Sequence, residues 1–296
     1  MAHKRGIRLT RADRIFHASV NASLLAILAI LVVPIWSTIT LSFRPNDFIG
    51  SALDGMLLAP WRWSTAAYEA LLGHRAFLTS VFNSFRIFCQ GVATALFLTV
   101  PLAYMLSIKT LPGRKLLYGL VLVPYLFNVG LVPNYLLVTK LGLVNTLAAV
   151  YMPGAISVYN TLIMKSFFEG IPEELKESAR IDGASELTVL LRIILPLSKP
   201  ILLTIGLYYG VHFWNDFFNA MLYINDNKLQ PLPILLRNIL LSSGMNEYVE
   251  VNAFGEAPIA AIKAASVFLA AIPMLAAYPF IQKYFVKGTM LGSVKG

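Results

Sequence analysis

The chain has 296 residues, of which 57% are apolar and only 13% charged, with a formal net charge of +9. Soluble domains carry about a quarter charged residues, so this composition excludes an ordinary soluble protein and predicts a membrane one. The positive balance lacks an aromatic-interleaved basic patch, so no nucleic-acid partner is expected, and the charge is read as basic loops that set topology.

At about 20 residues per span, the length predicts an all-α, polytopic membrane protein of about six transmembrane helices. Residues 1–17 carry Lys4, Arg5, Arg8, Arg11 and Arg14 against Asp13 and form a basic, cytoplasmic N-terminus. The apolar stretch 18–43 is too long for a signal-peptide core and reads as a retained first span. Residues 44–78, with Trp61, Trp63 and Tyr68, predict an external loop with aromatics at the membrane interface. A second span covers 79–108, and Lys109, Arg114 and Lys115 around Pro112-Gly113 make a short basic turn. The third span, 116–138, contains Pro124 and Pro133, which neighbouring helices can accommodate. The fourth covers 146–168, the fifth 197–224 and the sixth 258–286. Residues 18–286 thus form one transmembrane domain, and 287–296 a cytoplasmic tail bearing Lys287 and Lys295. The external loop 225–257 holds more acids (Asp226, Glu247, Glu250, Glu256) than bases. Basic residues assigned to the cytoplasmic side number about 16, against about 6 outside, which places both termini in the cytoplasm. The one cysteine, Cys89, excludes an intrachain disulfide and a cysteine-based metal site.

Between spans four and five lies 171–200, IPEELKESARIDGASELTVLLRIILPLSKP, amphipathic and charged in both signs. Pro172 suits a first helical position, and Glu173 and Glu174 complement the helix dipole. Gly183 offers a left-handed stop, and Ser185 can cap a second helix that Pro196 should break. Leu187, Leu190, Leu191 and Ile194 share one face of that helix. The expectation is two short helices joined by a glycine elbow, with an exposed apolar stripe that needs a partner surface.

Glu177-Ser178-Ala179, then Gly183, then Ile193, Leu195 and Pro196 stand at fixed spacings. The arrangement resembles the "EAA" loop of binding-protein-dependent ABC importer permeases: E-A-A, a glycine four residues on, nine free positions, then I-x-L-P. Only Ser178 departs from it. Asp182-Gly183-Ala184 resembles the D-G-A form of sugar permeases. The resemblance implies a type I ABC importer permease fold of six transmembrane helices. It implies that Glu177, Ala179, Asp182, Gly183 and Ala184 couple to an ATPase, with Glu177 facing an ATPase arginine. Implied partners are a homologous second permease, an ATPase dimer, an extracytoplasmic solute-binding protein and membrane lipid. ATP and Mg would sit on the ATPase, this chain binding no cofactor and catalysing nothing. The end of the chain, 287–296, resembles the tail of maltose second-permease types, which reaches between the ATPase subunits. The likeness is strongest to the oligosaccharide branch that includes the alginate importer's second permease. That implies an oligosaccharide substrate, an acidic, alginate-like one among the choices.

The residues themselves supply no catalytic signature. There is no G-x-x-x-x-G-K-[ST] phosphate loop and no H-E-x-x-H. The four histidines, His3, His17, His74 and His212, are scattered. Polar groups inside spans usually face a bundle interior or cavity. Tyr208, Tyr209, His212, Trp214, Asn215, Asp216 and Asn219 cluster in span five. Asn128, Tyr135, Tyr159 and Asn160 form a weaker set in spans three and four. Two readings compete: a translocation lining that stacks and hydrogen-bonds sugars, or interhelical contacts with an interfacial aromatic belt. Two other classes stay open, an ion-coupled secondary transporter and a polytopic membrane glycosyltransferase. The first predicts duplicated halves, the second paired carboxylates or metal ligands at the interface.

Overall fold

The computed structural model describes residues 11–48, 54–55, 59–127, 129–241 and 257–292, without the side chains of Ala12 and 277–292. Every regular element among them is helical. In chain order these are α1 Arg11–Ser42, α2 Ala66–Gly73, α3 Arg75–Ser107, α4 Arg114–Leu126, α5 Leu131–Lys140 and α6 Ala148–Tyr151. They continue as α7 Val158–Glu169, α8 Glu173–Ile181, α9 Glu186–Leu197, α10 Lys199–Trp214, α11 Phe217–Tyr223, α12 Leu232–Leu241 and α13 Ile259–Gly292. Three described helices are alone long and apolar enough to cross a membrane, and five spans result if each bent pair counts as one. The chain divides into two compact units, Met1–Gly73 with Glu250–Leu269 and His74–Val249 with Ala270–Gly296.

In the first unit, α1 leaves almost its whole apolar surface uncovered by protein, as a lipid-facing span would. Its end is tied to α2. Ser42 Oγ and Tyr68 OH lie 2.6 Å apart, and the Phe43 ring stacks on Trp63 with centroids at 4.8 Å. The Ser64 N–H donates to the Phe43 carbonyl at 2.9 Å.

The second unit is built on α3, with α7 and α10 packed along it. In lipid, apolar side chains gain little by leaving their surroundings for one another, so helices associate where small residues let backbones approach. α3 carries Gly91, Ala95, Thr99 and Ala103, all buried, at a spacing of four. α10 answers with Gly206 and Gly210. A Cβ at Gly91 would meet Phe213 Cδ2 at 2.6 Å, and one at Gly210 would meet Phe88 Cε2 at 2.5 Å. Each helix thus seats an aromatic ring of the other on its glycine. Tyr209 adds a polar bridge at the same seam. Its hydroxyl lies 2.8 Å from Thr99 Oγ1 and accepts the Ser157 N–H at 2.9 Å.

Several expected spans are not single rods. The third, expected over 116–138, is divided into α4 and α5. Gly130 adopts φ 81° at the break, a conformation that no α-helix contains. Pro133 falls in the first turn of α5, where its missing N–H costs nothing. The fourth, 146–168, is divided by the 3₁₀ turn Met152–Gly154, and Ser157 caps α7 by accepting the Asn160 N–H at 3.3 Å. The fifth, 197–224, breaks twice. α9 and α10 meet at 85° around Ser198, and Asn215-Asp216 separates α10 from α11. The expected external loop 225–257 contains α12, and its residues 242–256 lie outside the described ones.

Opposite ends of α3 hold different attachments. Asn83 Nδ2 donates to the carbonyls of Lys228 and Gln230, and the Leu232 N–H donates to Ser84 Oγ. Near the other end, Tyr104 reaches the segment 173–197. The two attachments are separated by about 30 Å along the helix axis at 1.5 Å per residue.

Candidate functional site

The segment 171–200 folds as a bent pair of helices. Pro172 lies one residue before α8 rather than within it. α8 ends in a paired backbone closure. The Gly183 N–H donates to the Arg180 carbonyl at 3.0 Å and the Ala184 N–H to the Ala179 carbonyl at 2.9 Å. That pattern requires a left-handed residue, and Gly183 has φ 83°. Ala179 and Ala184, the two ends of the 2.9 Å bond, both pack on the main core. Their small size follows from that closeness. Ser185 then caps α9 by accepting the Thr188 N–H at 3.3 Å.

The second helix does not stop at Pro196. Proline cannot donate to the carbonyl four residues back. The backbone instead widens to a π turn over Leu190–Ile194, with the Leu195 N–H bonded to the Leu190 carbonyl, and the helix continues to Leu197. The expected apolar stripe divides accordingly. Leu190 and Ile194 enter the core, and Val189 is buried with them. Leu187 and Leu191 stay exposed, joined by Ile181 at the elbow, which is 85% exposed. Glu177, Asp182 and Gly183 are exposed beside them.

A side-chain ion-pair chain spans this elbow. Arg180 Nη1 donates to Glu173 Oε1 at 2.9 Å, and Arg180 Nε donates to Glu186 Oε1 at 2.8 Å. Tyr104 OH donates to Glu186 Oε2 at 2.6 Å, and Lys176 Nζ donates to Glu173 Oε2 at 2.8 Å. The hydrogen bond from Lys176 holds the Glu173 carboxyl below the usual carboxylate range, with Arg180 adding to it. The Arg180 hydrogen bonds do the same for Glu186. Arg180 in turn is pushed above its ordinary value, first by Glu186 and then by Glu173.

The second candidate region is a cleft of about 670 Å³ between the 154–160 segment and α10. Its walls include Gly154, Ser157, Tyr159, Asn160, Tyr208, Tyr209 and His212. Five of the eleven residues singled out from sequence therefore meet in one place. Tyr159 is 59% exposed and Tyr208 37%, so two rings are presented to an occupant. Tyr209 offers little, being buried with its hydroxyl bonded to Thr99 and Ser157. His212 lies beside Gly154, where an added Cβ would come within 3.2 Å of Nε2.

The remaining candidates among the described residues do not line the cleft. The Trp214 indole N–H donates to the Ala270 carbonyl at 3.1 Å. Asn215 Nδ2 donates back to the Val211 carbonyl at 2.8 Å. Asp216 caps α11, accepting the Asn219 N–H at 3.0 Å and the Asn219 amide at 2.7 Å. Tyr135 stacks on Tyr223, with centroids 5.9 Å apart. These serve as helix ends and interhelical contacts. Asn128 lies outside the described residues, as do residues 293–296 of the expected tail; 287–292 continue α13. Sequence reasoning missed the part that Tyr104, Arg180 and Glu186 play together, and missed Gly154 and Ser157. Pro153-Gly154 was a readable turn signal inside an apolar run. The union of Tyr104 with Glu186 had no local signal. No cluster of metal-ligating side chains occurs among the described residues.

Comparison with known proteins agrees with this geometry. The model of a family described as binding-protein-dependent transport system inner membrane component matches residues 24–290. The chain is 40% identical to Protein LplC of Bacillus subtilis, covering all of both chains. It is 39% identical to the polygalacturonan/rhamnogalacturonan transport system permease protein YtcP of the same organism, covering 96% of this chain and 99% of that one. Its fold superposes with a TM-score of 0.84, at 30% identity, on a chain of a bacterial ABC transporter involved in the import of the acidic polysaccharide alginate, covering 95% of this chain and all of the other. With a match of that extent, the chain belongs to the family of inner-membrane components of binding-protein-dependent transport systems.

Proposed function

We propose that this chain is the permease subunit that forms half of the translocation path for an acidic oligosaccharide. As an inner-membrane component of its family, it is a permease rather than an enzyme. In the proposed assembly it pairs with a homologous second permease. A solute-binding protein delivers substrate to the external face. ATP and Mg are bound by two ATPase subunits on the cytoplasmic face. The exposed elbow around Glu177 and Gly183 seats in an ATPase cleft, and closure of the ATPase pair moves α8 and α9 as levers.

The observation that carries this reading is the exposed elbow itself. An apolar and charged ridge of Ile181, Leu187 and Leu191 beside Glu177 stands free of the chain's own core, and such a ridge fits a partner surface. The substrate class rests on two supports. The cleft offers aromatic faces, an amide and an imidazole, with no carboxylate among the described residues of its walls. YtcP and the alginate transporter are both named for acidic polysaccharides.

The test is reconstitution of the chain with its partners in vesicles. Binding-protein-dependent ATP hydrolysis should rise with uronate oligosaccharides, and Glu177→Ala should abolish the rise. Tyr159→Ala and His212→Ala should reduce uptake while the assembly stays intact. Uptake that follows a proton gradient and ignores ATP would overturn the reading. Stimulation by neutral sugars alone would overturn the acidic substrate.

A further inference from the structure

Arg180 occupies one of the free positions of the E-A-A spacing, between Ala179 and Gly183. Four residues, 182–185, join α8 to α9 at an angle; their backbone bonds close the end of α8, and Val189, Leu190 and Ile194 seat α9 in the core. That angle is bridged by side chains. The guanidinium reaches back to Glu173 at the start of α8 and forward to Glu186 at the start of α9. Glu186 also accepts the Tyr104 hydroxyl from the end of α3. The path Lys176–Glu173–Arg180–Glu186–Tyr104 thus links both elbow helices to the longest helix of the unit. The Arg180, Glu173 and Glu186 side chains are 30%, 54% and 52% exposed, so solvent screening leaves the network a small share of global stability. Its consequence is geometric. A planar, five-donor fork holds two carboxylates in one arrangement, which a lysine's single ammonium cannot reproduce.

We propose that Arg180 is a positioning residue that staples the elbow to α3, so that displacement of the elbow moves α3 and α10 instead of being absorbed by bending at Gly183. The value of the staple to transport rests on the coupling reading above; the staple itself does not. The test uses the full complex in nanodiscs, with Cys89→Ser and spin labels at Glu174→Cys on α8 and Arg192→Cys on α9, both exposed positions. Pulsed electron-resonance distances should be narrowly distributed in the parent protein. Arg180→Ala should broaden the distribution by roughly twofold, and Arg180→Lys, a point charge on a flexible stem without the planar fork, by an intermediate amount. Substrate transported per ATP should fall with the broadening. Tyr104→Phe removes one hydroxyl and should broaden the distribution less, in the same direction. It serves as the test if Arg180→Ala does not assemble. Unchanged distributions in Arg180→Ala, or in Tyr104→Phe where that variant stands in for it, overturn the staple. Broadening with an unchanged transport ratio overturns its positioning role. Broadening in a chain that never associates with an ATPase leaves the staple and overturns the coupling reading.

Discussion

Replacement of Gly183 separates two reasons for a glycine at the elbow. One is backbone conformation, the other is clearance for a partner. A Cβ built on Gly183 meets nothing within 4 Å, so the chain itself does not exclude a side chain there. The conformation does, since φ is 83°. A non-glycine residue held left-handed costs about 1–2 kcal/mol, and asparagine much less than alanine because its short polar side chain bonds locally. A loss of that size changes the ratio of closed to open elbow by roughly 5- to 30-fold. Gly183→Ala should therefore lower substrate-stimulated ATP hydrolysis of the assembled complex by about that factor, while Gly183→Asn retains most of it. Hydrogen exchange of the Ala184 amide, which bonds to the Ala179 carbonyl, should accelerate in the same order. An activity order set by side-chain size, with asparagine worse than alanine, would refute the conformational argument and point to partner clearance.

Other outcomes follow from the seam between α3 and α10. Gly91→Ala and Gly210→Ala should gain about 1 kcal/mol of helix propensity and lose about 1–3 kcal/mol to overpacking on Phe213 and Phe88. Gly206→Ala, with Leu96 Cδ1 at 3.5 Å, should show only the gain. Thermal unfolding in detergent should rank Gly206→Ala above the parent and the other two below it. Tyr209→Phe strips the acceptor from the Ser157 N–H and the partner from Thr99, and should lower stability by about 1–3 kcal/mol. An unchanged midpoint would mean that water replaces the hydroxyl. The elbow should also respond to acid. Glu173 and Glu186 are held below the ordinary carboxylate value, so their contribution is present above about pH 4.5 and lost as pH falls through the folded values. Proteolysis at the elbow should therefore increase as pH falls below about 4.5 and through the lowered folded values, ahead of global unfolding, and Glu173→Gln with Glu186→Gln should remove the pH dependence.

The sequence by itself determined the class and the elbow. Spacing in these features is local: a glycine four residues after Ala179, a serine at 185 before a helical run, and apolar stretches of membrane-spanning length. Each depends on the backbone's own preferences, which neighbours in sequence carry. The four-residue ladder Gly91, Ala95, Thr99 and Ala103 was not read from the sequence and emerged only with the packing of α3, although its spacing is local and lipid leaves close approach as the main source of helix affinity. Tertiary structure alone decided which polar residues face the cleft. Tyr208 and Tyr209 are adjacent in sequence, yet one presents its ring to the cleft and the other spends its hydroxyl on Thr99 and Ser157. Asn215 and Asp216 could be told from lining residues only once the helix break at 215–216 gave them ends to cap, and Trp214 only once its indole was seen to reach Ala270. Tyr104 and Glu186 stand far apart in the chain, and no periodicity announces their meeting. A side chain's partner across a bundle depends on where the helices cross, and that is a property of packing between helices rather than of any one segment.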